Sequence, residues 1–297
     1  MFSNACNFTN HTQLKMKQTQ KVKRMGIVSK CDNLKTLNMA KSIYNHFKNK
    51  VDILIANDVL EKLNLNLDCG ASVSEMREKG VEFVISIGGD GTVLRNISFM
   101  DEPLPILGIN MGTLGFLVDV NPNNAIDTIE QVLNGFSYNT RDRLAIYING
   151  VELPCATNEV VLITAKPAKI LTFEIVVDGK KIEKLRADGV IFATPTGSTA
   201  YSMSAGGPIV DPTVNASLIV PIAPFKLSSR PFVIHGGCII EIEMTDYEKE
   251  SLVVVDGQHI HTIKKYDKVT LKKAKYPAHF VKTSVNGFYE KIKNKLV

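Results

Sequence analysis

Tryptophan is absent from the 297 residues, aromatics make up 7%, cysteine numbers only five and long apolar runs are missing. Each absence excludes something. Cys6, Cys31, Cys69, Cys155 and Cys238 are far apart, odd in number and never in C-x-x-C, so neither a disulfide framework nor a zinc site is expected, and reduced thiols in a cytoplasm fit. No stretch approaches ~18 uncharged apolar residues, and the opening MFSNACNFTNHTQLKMKQTQKVKR has no apolar core, so neither a membrane span nor a secretory signal is supported. The net charge of +5 sits at the ends: residues 1–31 hold six basic residues and no acid, and residues 264–297 hold ten basic residues against two acids. The body from 32 to 263 is therefore acidic, with 19 basic against 28 acidic residues. A nucleic-acid footprint needs Lys and Arg interleaved with aromatics on a folded face, which this distribution does not supply.

What is present is patterned. Residues 1–22 read as a disordered basic tail without a catalytic role. From 23 to 143 apolar runs alternate with helical periodicity. RMGIVSK and KVDILIAN read as buried strands, and between them Leu37, Ala40, Ile43, Tyr44 and Phe47 share a helix face. SVSEMREKG predicts a helix ending at Gly80, VEFVISI a strand, and Asn121-Pro122 to Gly135 a capped helix. Strand and helix in alternation imply a parallel, helix-covered sheet. From 144 to 275 the texture becomes β-branched, with hairpin signals at Asn149-Gly150, Asp178-Gly179 and Asp256-Gly257, which predict a sandwich of antiparallel strands. The segment 276–297 ends in a short helix over FYEKIKNKLV, expected to fold back on the first domain.

Two stretches carry chemistry. VEFVISI empties into Gly88-Gly89-Asp90-Gly91-Thr92, a strand end whose glycines let main-chain N–H groups approach a phosphate ahead of a helix N-terminus. A tight turn explains the glycines equally well. It does not explain Asp90, whose charge repels phosphate unless it meets Mg²⁺ or takes a proton from an attacking hydroxyl. The second stretch, DGVIFATPTGSTAYSMSAGGP over 188–208, is an apolar strand running into a hydroxyl-rich loop stiffened by Pro195, Tyr201 and Pro208. Such a loop suits a polyhydroxyl, phosphate-bearing ligand. Asn158-Glu159 reads on its own as a solvated strand entry, and His259 as a residue of a hairpin turn. His259 and His261 share a strand face, but no third metal ligand sits nearby in sequence.

Taken together, GGDGT at 88–92, the NE pair at 158–159 and DGVIFATPTGSTAYSMSAGGPI at 188–209 resemble the NAD kinase family in order and spacing. GINMGTLGFL at 108–117 and the 211–231 stretch are similar to family segments too. The resemblance implies a Rossmann-like α/β domain and an antiparallel β-sandwich domain with the active site between them. It implies Mg²⁺-dependent transfer of a phosphoryl group from ATP or polyphosphate to the 2′-hydroxyl of the adenosine ribose of NAD, giving NADP. By the same resemblance Asp90 is the general base and Gly88, Gly89, Gly91 and Thr92 bind phosphate. Phe116 lies beside the adenine, Asn158 and Glu159 hydrogen-bond the dinucleotide, and Asp188, Thr196, Thr199, Ala200, Tyr201 and Ser204 line its site. Arg186 meets the new phosphate. Homodimers or homotetramers are implied, with Mg²⁺ held chiefly by donor phosphates and few or no protein ligands. The acidic body further suggests that main-chain N–H groups and metal, more than Lys and Arg, neutralise the phosphates.

Two other readings stay open at this point. A lipid or sugar kinase shares the GGDG loop but leaves 188–208 without a purpose. A non-catalytic dinucleotide sensor has no need of Asp90.

Overall fold

The computed structural model describes residues 21–65, 68–112, 115–166, 169–245, 249–283 and 287–296. The expected tail therefore lies, apart from its last two residues, outside the described residues. Val22 is buried, and its N–H donates to Leu133 O at 2.9 Å.

In chain order the first elements are β1 (Arg24–Ser29), α1 (Leu34–Phe47), β2 (Asp52–Ala56), α2 (Asn57–Lys62), β3 (Gly70–Ala71), β4 (Phe83–Gly88), α3 (Asp90–Ser98), β5 (Ile106–Asn110), α4 (Ala125–Leu133) and β6 (Tyr138–Arg141). The middle of the chain is all strand: β7 (Leu144–Ile148), β8 (Val151–Ala156), β9 (Glu159–Thr164), β10 (Leu171–Val177), β11 (Lys180–Ala187) and β12 (Gly189–Ala193). After the one-turn helix α5 (Tyr201–Ser204) come β13 (Ala216–Ile222), β14 (Phe232–His235), β15 (Ile240–Met244), β16 (Ser251–Val255), β17 (His259–Ile263) and β18 (Lys268–Lys273). The last two elements are β19 (Ala278–Val281) and α6 (Phe288–Leu296).

Seven strands form the first sheet in the order β3-β2-β1-β4-β5-β19-β6. Pairing is parallel from β3 through β19, and only β6 runs antiparallel, at the edge. Every residue of β4 is buried, as a strand covered on both faces requires. Helix α1 packs on β1 and β4, and α3 packs on β4. Asn33 caps α1 by accepting the Lys35 N–H.

The expected helix over SVSEMREKG is not there. Residues 73–80 form successive turns. Ser72 and Glu75 do exchange reciprocal capping bonds, but Lys79 N–H to Glu75 O is the stretch's one bond of helical spacing before Gly80, at φ +77, turns the chain. A helix this short gains too few bonds to offset its nucleation, so the packing of buried Met76 decides the path.

The remaining strands form two six-stranded antiparallel sheets, β11-β10-β15-β18-β7-β8 and β14-β13-β12-β9-β16-β17. Their facing apolar residues, among them Ile146, Val160, Phe173, Phe192, Ile242 and Val253, make one core. The hairpins at Asn149-Gly150, Asp178-Gly179 and Asp256-Gly257 all have positive φ at both turn residues, the geometry that matches strand twist. The second sheet is covered on its outer face as well. Val161, Ile191, Ala193, Leu218 and Val220 pack there against Ala205 and Val210, which belong to the segment following β12. That covering lays the hydroxyl-rich stretch across the sheet, facing the first sheet's strand ends.

Candidate active site

Asp90 opens α3 directly after β4, with Gly89 in the capping position. Its carboxylate is held by the chain 26 to 28 residues downstream. Oδ2 accepts the Phe116 N–H at 2.7 Å, and Oδ1 accepts the N–H groups of Leu117 and Val118, both at 3.1 Å. The approach is so close that a Cβ on Gly115 would lie 2.7 Å from Asp90 Cγ and closer still to Oδ1. A carboxylate offers about four lone-pair positions, so one on Oδ2 is left for a ligand. A Cβ at Gly89 or Gly91, by contrast, meets nothing within 4 Å. Packing does not demand glycine at those two positions, whereas a ligand drawn against the main chain does.

Across the cleft a second acid does the same work. Asp256, buried in the β16–β17 turn, accepts the N–H groups of Thr157 (2.7 Å), Asn158 (2.8 Å) and Glu159 (3.0 Å). Thr194 completes the clamp: its hydroxyl donates to Thr157 O at 2.6 Å and its N–H to Asn158 O at 2.8 Å. Asn158 and Glu159, 8% and 7% exposed, are thereby presented with Asn158 Oδ1 and Glu159 Oε2 unpartnered. The hydroxyls of Thr157 and Ser202 are likewise buried and unsatisfied. Orphaned polar atoms at this density call for hydrogen-bonding groups from a ligand.

Burial, and then the Asp256 charge, push the Glu159 carboxyl up to about 8, against the opposing Tyr201 N–H. Burial also raises Asp256, to about 6, although three N–H donors and Arg143 favour its ionised form. Near neutral pH Asp256 carries the charge and Glu159 the proton. Between the usual glutamate range near ~4.3 and pH 8, the folded protein holds a proton that the unfolded chain has released. Stability therefore falls as pH rises through that window, by at most ~1.4 kcal/mol per pH unit for this group, and levels off above it. Glu159→Gln removes the effect: melting at pH 5, 6, 7 and 8 is expected to show the variant gaining on the wild type as pH rises. A pH-independent difference would contradict the assignment.

The two halves meet at Asp90. One cavity of about 360 Å³ is lined by Asp90, Phe116, Leu117, Asn158, Thr196, Thr199, Ala200, Met203 and Lys295. Another, of about 340 Å³, is lined by Asp90, Gly88, Gly89, Gly112, Gly115, Lys30 and Lys295, among others. Gly89, Gly91 and Thr92 open further onto a space of about 730 Å³ whose walls include Lys30, Lys62, Arg95 and Gln258.

Not every expected residue is gathered here. Thr196–Thr199 is a buried 3-10 turn rather than an open loop. The Tyr201 side chain and Ser204 are exposed, and Met203 lines the cavity in their place. Arg186 and Asp188 lie at the other end of β12: Gly189 pairs with Ile163, Ala193 with Glu159. Five strand residues at ~3.3 Å each place them about 16 Å from the Asn158 end. Arg186 stacks instead on Phe225, 4.7 Å from its ring.

Lys30, Lys62 and Arg95 border the space beside the glycine loop, a local placement on which the acidic average of the body is silent. His259 opens β17 rather than lying in a turn, and its Nε2 reaches Ser98 Oγ at the end of α3 (3.1 Å). Four cysteines are free thiols, and Cys6 lies outside the described residues.

An α/β unit joined to a β-sandwich, with one carboxylate on a wall common to two cavities, fits a phosphotransferase. Residues 2–136 match the family model described as ATP-NAD kinase N-terminal domain, and residues 157–283 the one described as ATP-NAD kinase C-terminal domain. A Methanosarcina acetivorans protein named NAD kinase is 53% identical over 275 residues, 93% of this chain and 99% of that one. The crystal structure of an NAD kinase from Archaeoglobus fulgidus in complex with ATP aligns with a TM-score of 0.73 at 30% identity, covering 92% of this chain and 97% of that one. The structure of yeast NADH kinase complexed with NADH shares the fold, with a TM-score of 0.85 at 24% identity, covering 93% of this chain and 87% of that one. The chain belongs to the NAD kinase family.

Proposed function

We propose that this enzyme phosphorylates the 2′-hydroxyl of the adenosine ribose of NAD from ATP, with the Asn158 cavity as acceptor site and the glycine-loop cavity as donor site. The observation that carries this reading is that Asp90 belongs to both cavities at once. The O2′–Pγ bond forms as the bond from Pγ to its bridging oxygen breaks and ADP leaves. The hydroxyl proton passes to the free lone pair of Asp90 Oδ2. A carboxylate is a far weaker base than an alkoxide, so it receives the proton late, and alignment of the two substrates supplies most of the acceleration.

Lys30, Lys62 and Arg95 bind the donor phosphates, while Asn158 Oδ1 accepts from the dinucleotide and the protonated Glu159 carboxyl is free to hydrogen-bond it. Mg²⁺ would be held chiefly by the donor phosphates and water. The ion, when bound, neutralises charge developing between the β- and γ-phosphates.

A lipid or sugar acceptor would leave the Asn158–Glu159 clamp and the Thr196–Met203 wall unused. Exposed apolar side chains on and before the edge strand β14 (Phe225, Leu227, Phe232 and Val233) support assembly of like subunits through that side. The free thiols of Cys31, Cys69, Cys155 and Cys238 support a reducing, cytoplasmic setting. No helix of the described residues is long and apolar enough to cross a membrane.

The test incubates the protein with ATP, MgCl₂ and, separately, NAD, diacylglycerol or a hexose, and analyses products by mass spectrometry. NADP is expected from NAD and nothing from the others. Phosphorylated lipid or sugar in place of NADP would overturn the reading.

A further inference from the structure

Helix α6 returns from the end of the chain to the cleft. Lys291 and Lys295, four residues apart, lie on one face of it. Lys291 is only 8% exposed, ion-paired to Asp119 and donating to Phe116 O at 2.9 Å. A buried ammonium is tolerated only when paired, so these two contacts fix how the helix is rotated. One turn further on, the Lys295 ammonium stands 4.2 Å from the Phe116 ring centroid. Among the described residues no carboxylate pairs with it, and it borders both cavities that meet at Asp90. The ordinary account of a lysine in a last helical turn is solvation and a favourable interaction with the helix dipole. That account covers Lys293, but Lys295 shares the face of buried Lys291 and is turned to the cleft.

We propose that Lys295 is a phosphate-contacting residue of the transfer step, its ammonium following the phosphoryl group from the donor cavity to the acceptor cavity and holding the 2′-phosphate of the product. The proposal rests on the functional reading above. Asp90 stands where the phosphoryl group crosses, and its charge repels the oxygens that carry negative charge in the transition state. A cation at the same junction offsets that repulsion. Phe116 ties the two together: its N–H binds Asp90, its carbonyl binds Lys291 and its ring lies beneath Lys295, so the carboxylate and the ammonium hold their separation through one residue. Lys30 borders the donor cavity but not the acceptor cavity, so it does not follow the group across.

NAD and NADP differ by the 2′-phosphate alone, which gives a readout that a packing role would not move. Wild type, Lys295→Met and Lys295→Arg are compared by calorimetric titration with NAD and NADP, by steady-state kinetics and by thermal melting. Lys295→Met is expected to keep the melting temperature, bind NAD within about twofold of wild type, lose at least tenfold in NADP affinity and lose at least tenfold in kcat. Lys295→Arg is expected to recover most of both losses. Equal weakening of NAD and NADP, unchanged NADP affinity in Lys295→Met, or no recovery with arginine would overturn the proposal. A wild type that forms no NADP would overturn the functional reading and this proposal with it; an active wild type matched by Lys295→Met overturns this proposal alone.

Discussion

Asp90→Asn is expected to lower kcat by about a thousandfold, the middle of the range for losing a positioned base. The amide keeps the volume and loses both the charge and the proton-accepting lone pair. It also disturbs the cradle. With its oxygen placed to accept Leu117 and Val118, the amide nitrogen faces the Phe116 N–H, donor against donor. That mismatch costs about 1–3 kcal/mol for a buried group and is read as a lower melting temperature. A drop in turnover alone therefore does not separate lost chemistry from a shifted loop. Gly115→Ala makes the separation. It retains the carboxylate, but its Cβ would clash with the Asp90 carboxylate, so the acid must swing away from the wall between the cavities. If placement of the carboxylate is what matters, Gly115→Ala loses turnover by a comparable factor while the acid is still present. Asp90→Asn retaining kcat within tenfold of the wild type would remove Asp90 as the base.

Much of this architecture is readable from residue order because its signals are local. The hairpins at Asn149-Gly150, Asp178-Gly179 and Asp256-Gly257 announce themselves, since few residues accept positive φ and these pairs do. Helix α1 is legible from the spacing of Leu37, Ala40, Ile43 and Phe47, all of them buried. Where a local signal was too short, packing overrode it, as in the turns over 73–80.

The site was legible only where its residues are unusual. Asp90 among glycines draws the eye, whereas Asp256 looks like one more Asp-Gly turn. Its bonds to Thr157, Asn158 and Glu159 span nearly a hundred residues, and no local pattern records them. Lys62, Arg95, Lys291 and Lys295, all on helices, escape notice for a related reason. A basic residue on an amphipathic helix has the same sequence appearance whether it meets solvent or a cleft. Arg186 and Asp188 stand apart from the cavity for the converse reason. They are close in sequence to Thr196, but a fully buried five-residue strand separates them from it in space.

Gly197→Ala is expected to be the most damaging small substitution in the acceptor half. A Cβ there would lie 2.5 Å from the Asn158 carbonyl carbon, 2.8 Å from its Cα and closer still to its oxygen. The obstacle is backbone, so no side-chain rotation relieves it. Neither partner is free to yield. The Thr157–Glu159 strap is pinned by three bonds to Asp256, and the Gly197 N–H donates to Thr194 Oγ1 at 3.1 Å while Thr194 also grips that strap. Relief therefore means breaking buried hydrogen bonds or lifting the Thr196–Thr199 turn off the cavity wall. Overpacking of this kind costs about 1–3 kcal/mol, and a buried donor left unpaired costs about 1–3 kcal/mol more. At roughly 2–4 °C per kcal/mol for a domain of 150–250 residues, a fall in melting temperature of about 4–24 °C is expected. With it goes NAD affinity, by at least tenfold, because Asn158, Thr196 and Thr199 share the displaced wall. Gly91→Ala is the control. Its Cβ meets no protein atom within 4 Å, so melting is expected to stay unchanged while turnover falls, the methyl intruding only on the bound donor. Should Gly197→Ala melt with the wild type and bind NAD as tightly, the strap is more compliant than its hydrogen bonds imply, and the acceptor cavity does not owe its shape to this contact.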